Sequence, residues 1–500
     1  NTHQLQSTPH QVVPFLTAGV VPFPSAASNA GMPEEVAVGI NRKKYPFSVE
    51  SMLRLALVSA VLLAARPCAA DTIVGWRGDG TGRFERANPP TEWAADKNIV
   101  WRAELPKWSN ASPVLSQGRL FVCAEPDILV CVEAESGQIL WQATNGVDQL
   151  LAEELRPLIE EVRRLNDAEQ ELHKKSNAKP TDEDLKQELA DFRKNLAEKR
   201  KPLDDALGEG FDFSLPRAHG SNGYTSPTPV SDGRMVWVLF GSGVAAAYDL
   251  EGTRQWIRFV ERPVIGHGHC SSPLLLNDKL IVHVGKIHAL NAKSGATVWT
   301  AKSGPRFGAP VVAVSGDRTI VVTANGEILD AGDGEVLASG LSGLTYNAPV
   351  VDGDVAYFFN NGEARAYRIP SFDVDDPVPE MLWSTKVSND RHYASPVVSG
   401  ARVLCLSQSG MLTVLDSESG DKALERDLKL QGTCYPSPTL AGPYIYCGGE
   451  GGTTVVLKGD ASLEQVAYNT LEGHRSSPVF DGDRMYVRGM KALYCIGADK

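Results

Sequence analysis

Residues 111–142 read ASPVLSQGRLFVCAEPDILVCVEAESGQILWQ, and residues 271–300 read SSPLLLNDKLIVHVGKIHALNAKSGATVWT. Both open on Ser-Pro, break at a turn, alternate, pass through Ser-Gly and close on Trp. The same sentence restarts at Pro113, Pro229, Pro273, Pro310, Pro349, Pro396, Pro438 and Pro478, giving eight units. Most intervals are about 40 residues, the period of a four-stranded β-propeller blade. Within a unit, strand A follows the proline and strand B follows the turn (119–124, 279–284). Strand C comes next (128–132, 287–291), and strand D closes on Trp141, Trp256, Trp299 or Trp383. Asn325-Gly326 and Asn361-Gly362 supply the positive-φ chemistry that tight B–C hairpins need.

The last unit, from Ser476 to Lys500, holds only three strands. NIVWRAEL (98–105) is a strand without a hairpin partner and carries a Trp where strand D has one. Pairing it with the last unit closes the ring and removes an open sheet edge. The expected fold is therefore all-β, an eight-bladed propeller over residues 98–500.

A net charge of −12 argues against a nucleic-acid partner, which rewards clustered Lys and Arg. MLRLALVSAVLLAARPCAA (52–70) has the short apolar run and small-residue end of a secretory signal, too short for a transmembrane span. Cleavage is expected before Asp71, with a periplasmic or secreted destination. Residues 1–51 are Pro-rich and patternless, either a non-native leader or a disordered extension. Residues 71–97 are an N-terminal extension of the ring.

Export permits disulfides. Cys123, Cys405 and Cys447 share a strand B position that other units fill with Phe358, Val238 and Val487, so buried thiols are expected. Cys123 and Cys131 flank the Pro126-Asp127 turn and offer one candidate cross-hairpin disulfide.

Residues 147–206 break the period. Leu151, Leu155, Leu158, Val162, Leu165 and Leu172 follow helical spacing with Glu169 as the one lapse, and Leu185, Leu189, Phe192, Leu196 and Leu203 repeat it. Pro180 separates the runs, and Thr181 with Asp184 suits a capping box. This predicts an inserted helical coiled-coil hairpin, either a solvated projection or a docking arm.

The segments before each repeat proline gather at one mouth of the central channel. Four residues before the proline stand Ser109, Thr225, His269, Arg306, Thr345, His392, Cys434 and His474. One residue later come Tyr346, Tyr393, Tyr435 and Arg475, and His219 and His267 precede units two and three. His219, His267, His269, Arg306, Tyr346, His392, Tyr393, Tyr435, His474 and Arg475 form the candidate ligand-binding layer. Arg306 and Arg475 suit an anion clamp and the tyrosines suit walls. Three readings stay open: a wet polar channel, an organic or anionic ligand, and an axial metal on His269, His392 and His474. His283 and His288 lie within strands and read as structural; His173 lies on the insertion.

LNAKSGATVW, VEAESGQILW and YDLEGTRQW resemble the Ala-x-Asp-x-x-Thr-Gly-x-x-x-Trp segment of the pyrroloquinoline-quinone (PQQ) propeller repeat family. GWRGDGTG (75–82) followed by NIVWRAELP is similar to the start of secreted PQQ-like propellers from planctomycete-type bacteria. The resemblance implies one of two classes. Quinoprotein alcohol dehydrogenases use PQQ, Ca²⁺, an adjacent Cys-Cys disulfide and a catalytic Asp; BamB-like propellers are cofactor-free scaffolds in outer-membrane protein assembly. This chain has no Cys-Cys pair, and Leu337 and Leu424 replace the motif Trp in two units. The expectation is a non-catalytic scaffold binding a protein or small ligand, with no catalytic residue, no metal and PQQ only as the alternative.

Overall fold

The computed structural model describes residues 74–497; the leader and signal readings fall outside the described residues. Eight antiparallel four-stranded sheets form the blades of a propeller. Blade 1 runs Val114–Ser116, Arg119–Ala124, Ile128–Glu133 and Ile139–Thr144, and blade 6 runs Val397–Ser399, Arg402–Leu406, Met411–Asp416 and Lys422–Asp427. Blade 8 takes its outer strand, Ile99–Glu104, from the N-terminal side of the chain, pairing Trp101 with Cys495 and Ala103 with Leu493. The sheets are buried through strands B and C, whose side chains interlock between neighbouring blades.

The repeated Trp and Gly have one physical role. The strand D Trp of one blade lies over a positive-φ glycine in the C–D turn of the next: Trp141 over Gly252, Trp256 over Gly295, Trp299 over Gly334, Trp383 over Gly420. A Cβ at any of these glycines would meet indole carbons at 2.5–2.8 Å, so only Gly allows the stack. Each indole N–H also donates to a backbone oxygen there, as from Trp141 to Leu250 at 2.9 Å and from Trp383 to Ser417 at 3.0 Å. Trp101 does the same across the closure, over Gly137 and donating to Ala134 O at 3.1 Å.

The Ser-Pro opening is a second device. The residue before the repeat proline donates its N–H to the hydroxyl at the same position in the next blade. Ser112 bonds Thr228, Thr228 bonds Ser272, Ser395 bonds Ser437, Ser437 bonds Ser477, and Ser477 bonds Ser112 at 3.0 Å, closing the belt. Ala309 and Ala348 have no hydroxyl and interrupt it.

The N-terminal extension threads the channel. Val74 bridges Ser231 in blade 2, and Arg83–Phe84 adds a parallel fifth strand to blade 7 at Leu440–Ala441. These contacts, with the Arg83–Asp352 ion pair at 2.7 Å, lie at the ends of strands A, away from the mouth.

The insertion is a hairpin of α1 (Arg156–Ala178) and α2 (Glu183–Leu207). Its N-cap is Asp182, whose side chain accepts from Leu185 N at 3.1 Å; Thr181 is not the cap, because Asp182 already sits one residue before the first helical turn. Glu169, the lapse in the apolar seam, pairs across the hairpin with Arg193 at 2.6 Å. The root is part of the propeller: Leu151, Ile159, Leu203 and Phe213 pack with Val244, Ile257 and Phe259 of blade 2. Replacing residues 166–195 by a short turn should leave the melting temperature unchanged. Removing 147–206 outright should lower stability by about 3 kcal/mol or more, because the apolar face of blade 2 loses its cover. Thermal melts of the two variants check both outcomes.

The candidate disulfide is corrected. Cys123 and Cys131 are both free. The hairpin register places Cys123 opposite Leu129 and Cys131 opposite Phe121, so the thiols are diagonal and not facing. Both are buried in the wedge between blades 1 and 2, and burial pushes each thiol up to about 12.

Candidate functional site: the channel mouth

Strand A begins at the mouth, so the segment leading into each repeat proline points its residues alternately inward and outward. The position four before the proline turns into the blades in six of the eight units, Thr345 being exposed and Arg306 half-buried. Ser109, Thr225, His269, His392, Cys434 and His474 there are at most 3 % exposed. His392 lies by Phe359, with ring centroids 6.5 Å apart, and neither of its nitrogens has a protein partner. His474 sits between blades 7 and 8 beside Pro436, Tyr446 and Met485. Burial holds His269 down at about 4 and lowers His392 and His474. The three imidazoles occupy separate wedges in the third, sixth and eighth blades and do not converge. Among the described residues no three His, Cys, Asp or Glu side chains stand close enough to hold a metal ion.

The next position lines the mouth. In blade order it holds Asn110, Ser226, Cys270, Phe307, Tyr346, Tyr393, Tyr435 and Arg475, one from each blade. Phe307 and Tyr346 stack at 6.0 Å; Tyr346 and Tyr393, then Tyr393 and Tyr435, approach at 4.9 Å. Arg475 continues the arc 5.2 Å over Tyr435 and pairs with Glu450 at 2.9 Å. Its Nη1 donates to Asn110 Oδ1 at 3.4 Å, and Asn110 donates to Ser226 Oγ at 2.9 Å. Arg391 crosses the arc from outside, 5.7 Å over Tyr346 and donating to Tyr393 Oη at 3.1 Å. Arg306, in the buried-side position of blade 4, is only half-buried.

His219 and His267 stand at the rim between blades 2 and 3, exposed and stacked 4.8 Å apart. His219 N donates to His267 O at 3.1 Å, and its Nδ1 meets Ser221 Oγ at 2.7 Å. His283 bonds Gly304 O at 2.8 Å and His288 bonds Glu261 at 3.0 Å, both within the blades.

Beneath the mouth the channel is filled by residues 75–82. Arg77 is 1 % exposed and donates to Pro396 O at 2.7 Å and Pro438 O at 2.9 Å, three residues beyond Tyr393 and Tyr435. Among the described residues no carboxylate pairs with it, and burial lowers its guanidinium to about 10. Gly82 is required there, since a Cβ would lie 2.3 Å from Arg77 Nη2. The mouth is thus lined by an aromatic arc and floored by a segment carrying a buried cation. Sequence reasoning found the tyrosines and Arg475 but missed Arg77, Phe307 and Arg391. Phe307 was readable, because it shares the repeat position of the tyrosines.

The residues present do not fit a calcium-bound quinone. The axis is occupied by the chain's own residues 75–82, and a neighbouring cavity of ≈ 210 Å³ is walled mainly by aliphatic side chains such as Val230, Leu274, Leu276, Val311 and Val350. Those walls offer no set of oxygen ligands for a hard cation.

Residues 91–171 and 283–487 match the family model described as outer membrane protein assembly factor BamB. No curated protein matches the chain. Among solved structures, BamB from Moraxella catarrhalis is similar at 14% identity and a TM-score of 0.51, covering 80% of this chain and 99% of that one. A computationally designed protein, Ika8, aligns at 8% identity and 0.50, covering 80% and 100%. A quinohemoprotein alcohol dehydrogenase from Pseudomonas putida HK5 aligns at 12% identity and 0.50, covering 87% and 82%. At such identities the likeness speaks for the propeller fold alone.

Proposed function

The chain belongs to the family of the outer membrane protein assembly factor BamB, and we propose that it acts as an exported, non-catalytic binding scaffold whose contact surface is the channel mouth. The observation that carries this reading is the unbroken arc from Phe307 to Arg475, floored by the Arg77 segment. A surface of touching tyrosines and arginines without an enclosed pocket suits a macromolecular contact, because Tyr and Arg supply most of the anchoring energy at interfaces. The signal-like stretch at 52–70 supports export to the periplasm or beyond, and no described helix is long and apolar enough to cross a membrane. His392 and His474, buried beside Tyr393 and Arg475 in the chain, back the arc, and His269 lies outside it in blade 3.

A PQQ-dependent dehydrogenase is the competing reading. The purified full chain, supplied with PQQ and Ca²⁺, should reduce no artificial dye with an alcohol substrate. Turnover that Tyr435→Ala abolishes would overturn the scaffold reading and make the mouth a quinone site.

A further inference from the structure

Resting on the scaffold reading, we infer that the mouth is built for an acidic polypeptide segment of its partner. The chain is strongly acidic overall, yet its mouth face leaves positive charge without an internal counterpart. Apart from Asp127 and Asp148 at blade 1, which stand near each other, the following carboxylates at this end are engaged within the fold. Glu125 accepts from Tyr224 N, Thr225 N and Thr225 Oγ1 at 2.6–2.9 Å. Glu261 accepts from Gly285 N, Lys286 N and His288 at 2.9–3.0 Å. Asp390 accepts from Arg391 N and Ser409 N, each at 2.9 Å, and Glu472 accepts from Tyr494 Oη at 2.7 Å and from Lys491 N. Glu450 is held by Arg475.

The cations are treated differently. Among the described residues Arg306 and Arg391 have no carboxylate partner, and neither does the buried Arg77 below them; the Nε of Arg306 and of Arg77 has no acceptor at all. Lys302, where strand D of blade 3 enters the mouth, is exposed and unpaired as well. A carboxylate arriving over the arc meets the Arg391 guanidinium already held against Tyr346 and Tyr393, so little side-chain entropy is lost on pairing with it. The floor is blind, because residues 75–82 fill the channel, so the segment lies across the mouth and does not thread it. Alternating acidic and small residues fit best, placing carboxylates at the rim while the backbone passes along the aromatic arc.

The test is fluorescence anisotropy of labelled peptides against the full chain. One peptide alternates Glu and Gly; the control alternates Gln and Gly; a soluble uronic-acid polysaccharide competes. The Glu peptide should bind on the order of tenfold tighter than the Gln peptide at low salt. That advantage should vanish near about 0.5 M salt, and in the Arg306→Gln/Arg391→Gln double variant, whose altered side chains lie at the partly exposed mouth. If the Gln peptide binds equally and Tyr393→Ala abolishes both, the mouth is a binding surface but not for acidic chains, and this inference falls while the scaffold reading stands. If the double variant keeps the Glu preference, the acidic site is elsewhere and the inference is wrong. If the polysaccharide displaces the Glu peptide at equal charge and binds more tightly, the surface is built for a glycan. If neither peptide binds, the inference is also overturned.

Discussion

A chain lacking residues 98–105 will aggregate, and Trp101→Ala in the intact chain will cost about 2–3 kcal/mol. Ile99–Glu104 is the outer strand of blade 8, registered from Ile99 against Ile496 to Glu104 against Ala492. Without it, Ala492–Ile496 becomes an open edge rich in apolar side chains, a template for pairing with another copy. The ring also loses the Trp101 contact across the closure. Trp101 covers Gly137, lies 6.0 Å from Tyr486 and donates to Ala134 O. The Ser477–Ser112 bond survives the deletion but is one link of many. Trp101→Ala keeps the strand and removes only the stack; because Trp101 is half-buried, its cost falls below that of a full core deletion. Light scattering after size exclusion and denaturant midpoints measure the two. A truncated chain that stays monomeric with unchanged melting contradicts this account of closure.

Stability should fall steeply as pH drops from 6.5 towards 4. His269, His283, His392 and His474 are buried, and desolvation lowers the folded-state pKa of each below the ordinary 6.5. Above pH 6.5 both states hold these rings neutral and nothing is lost. Below it the unfolded chain takes up protons that the folded chain refuses, so unfolding gains free energy until the folded rings also titrate. For His269, held at about 4, that amounts to on the order of 3 kcal/mol by pH 4. Asp127 acts in the opposite sense. Burial, with Asp148 nearby, raises it to about 6, so its protonation in the same window favours the folded state and partly offsets the loss. Urea midpoints between pH 7 and 4 should decline, and His269→Gln should flatten the decline. A flat profile in the wild-type protein contradicts the buried-neutral assignment.

The features legible in the sequence share one property: they repeat. The strand D Trp, the turn Gly and the Ser-Pro opening recur because every blade meets its neighbour the same way, so even the missing strand of blade 8 could be located at residues 98–105. The mouth was legible as a layer but not in its facing. His392 and Tyr393 are adjacent, and only the path of the D–A loop decides that the imidazole turns inward and the phenol lines the channel. Loop residues have no period from which that can be read. The Arg77 segment was hidden for a different reason. GWRGDGTG has no apolar alternation, and its partners Pro396 and Pro438 lie 319 and 361 positions away, brought together only when the ring closes. Glu169 broke the apolar helical pattern in sequence and is ion-paired with Arg193, which a hydrophobic pattern cannot anticipate.

Site-specific photo-crosslinking tests the central claim most directly. A benzophenone side chain placed at Tyr393 or Tyr435, with the chain expressed in its own cells, should give a discrete higher-mass adduct on irradiation. The same probe at Val298 or Val314, exposed on the blades away from the arc, should give none. The account predicts adducts at the mouth that disappear when Arg306→Gln and Arg391→Gln are added. Adducts formed only from Val298 or Val314, with Tyr393 and Tyr435 silent, would contradict it.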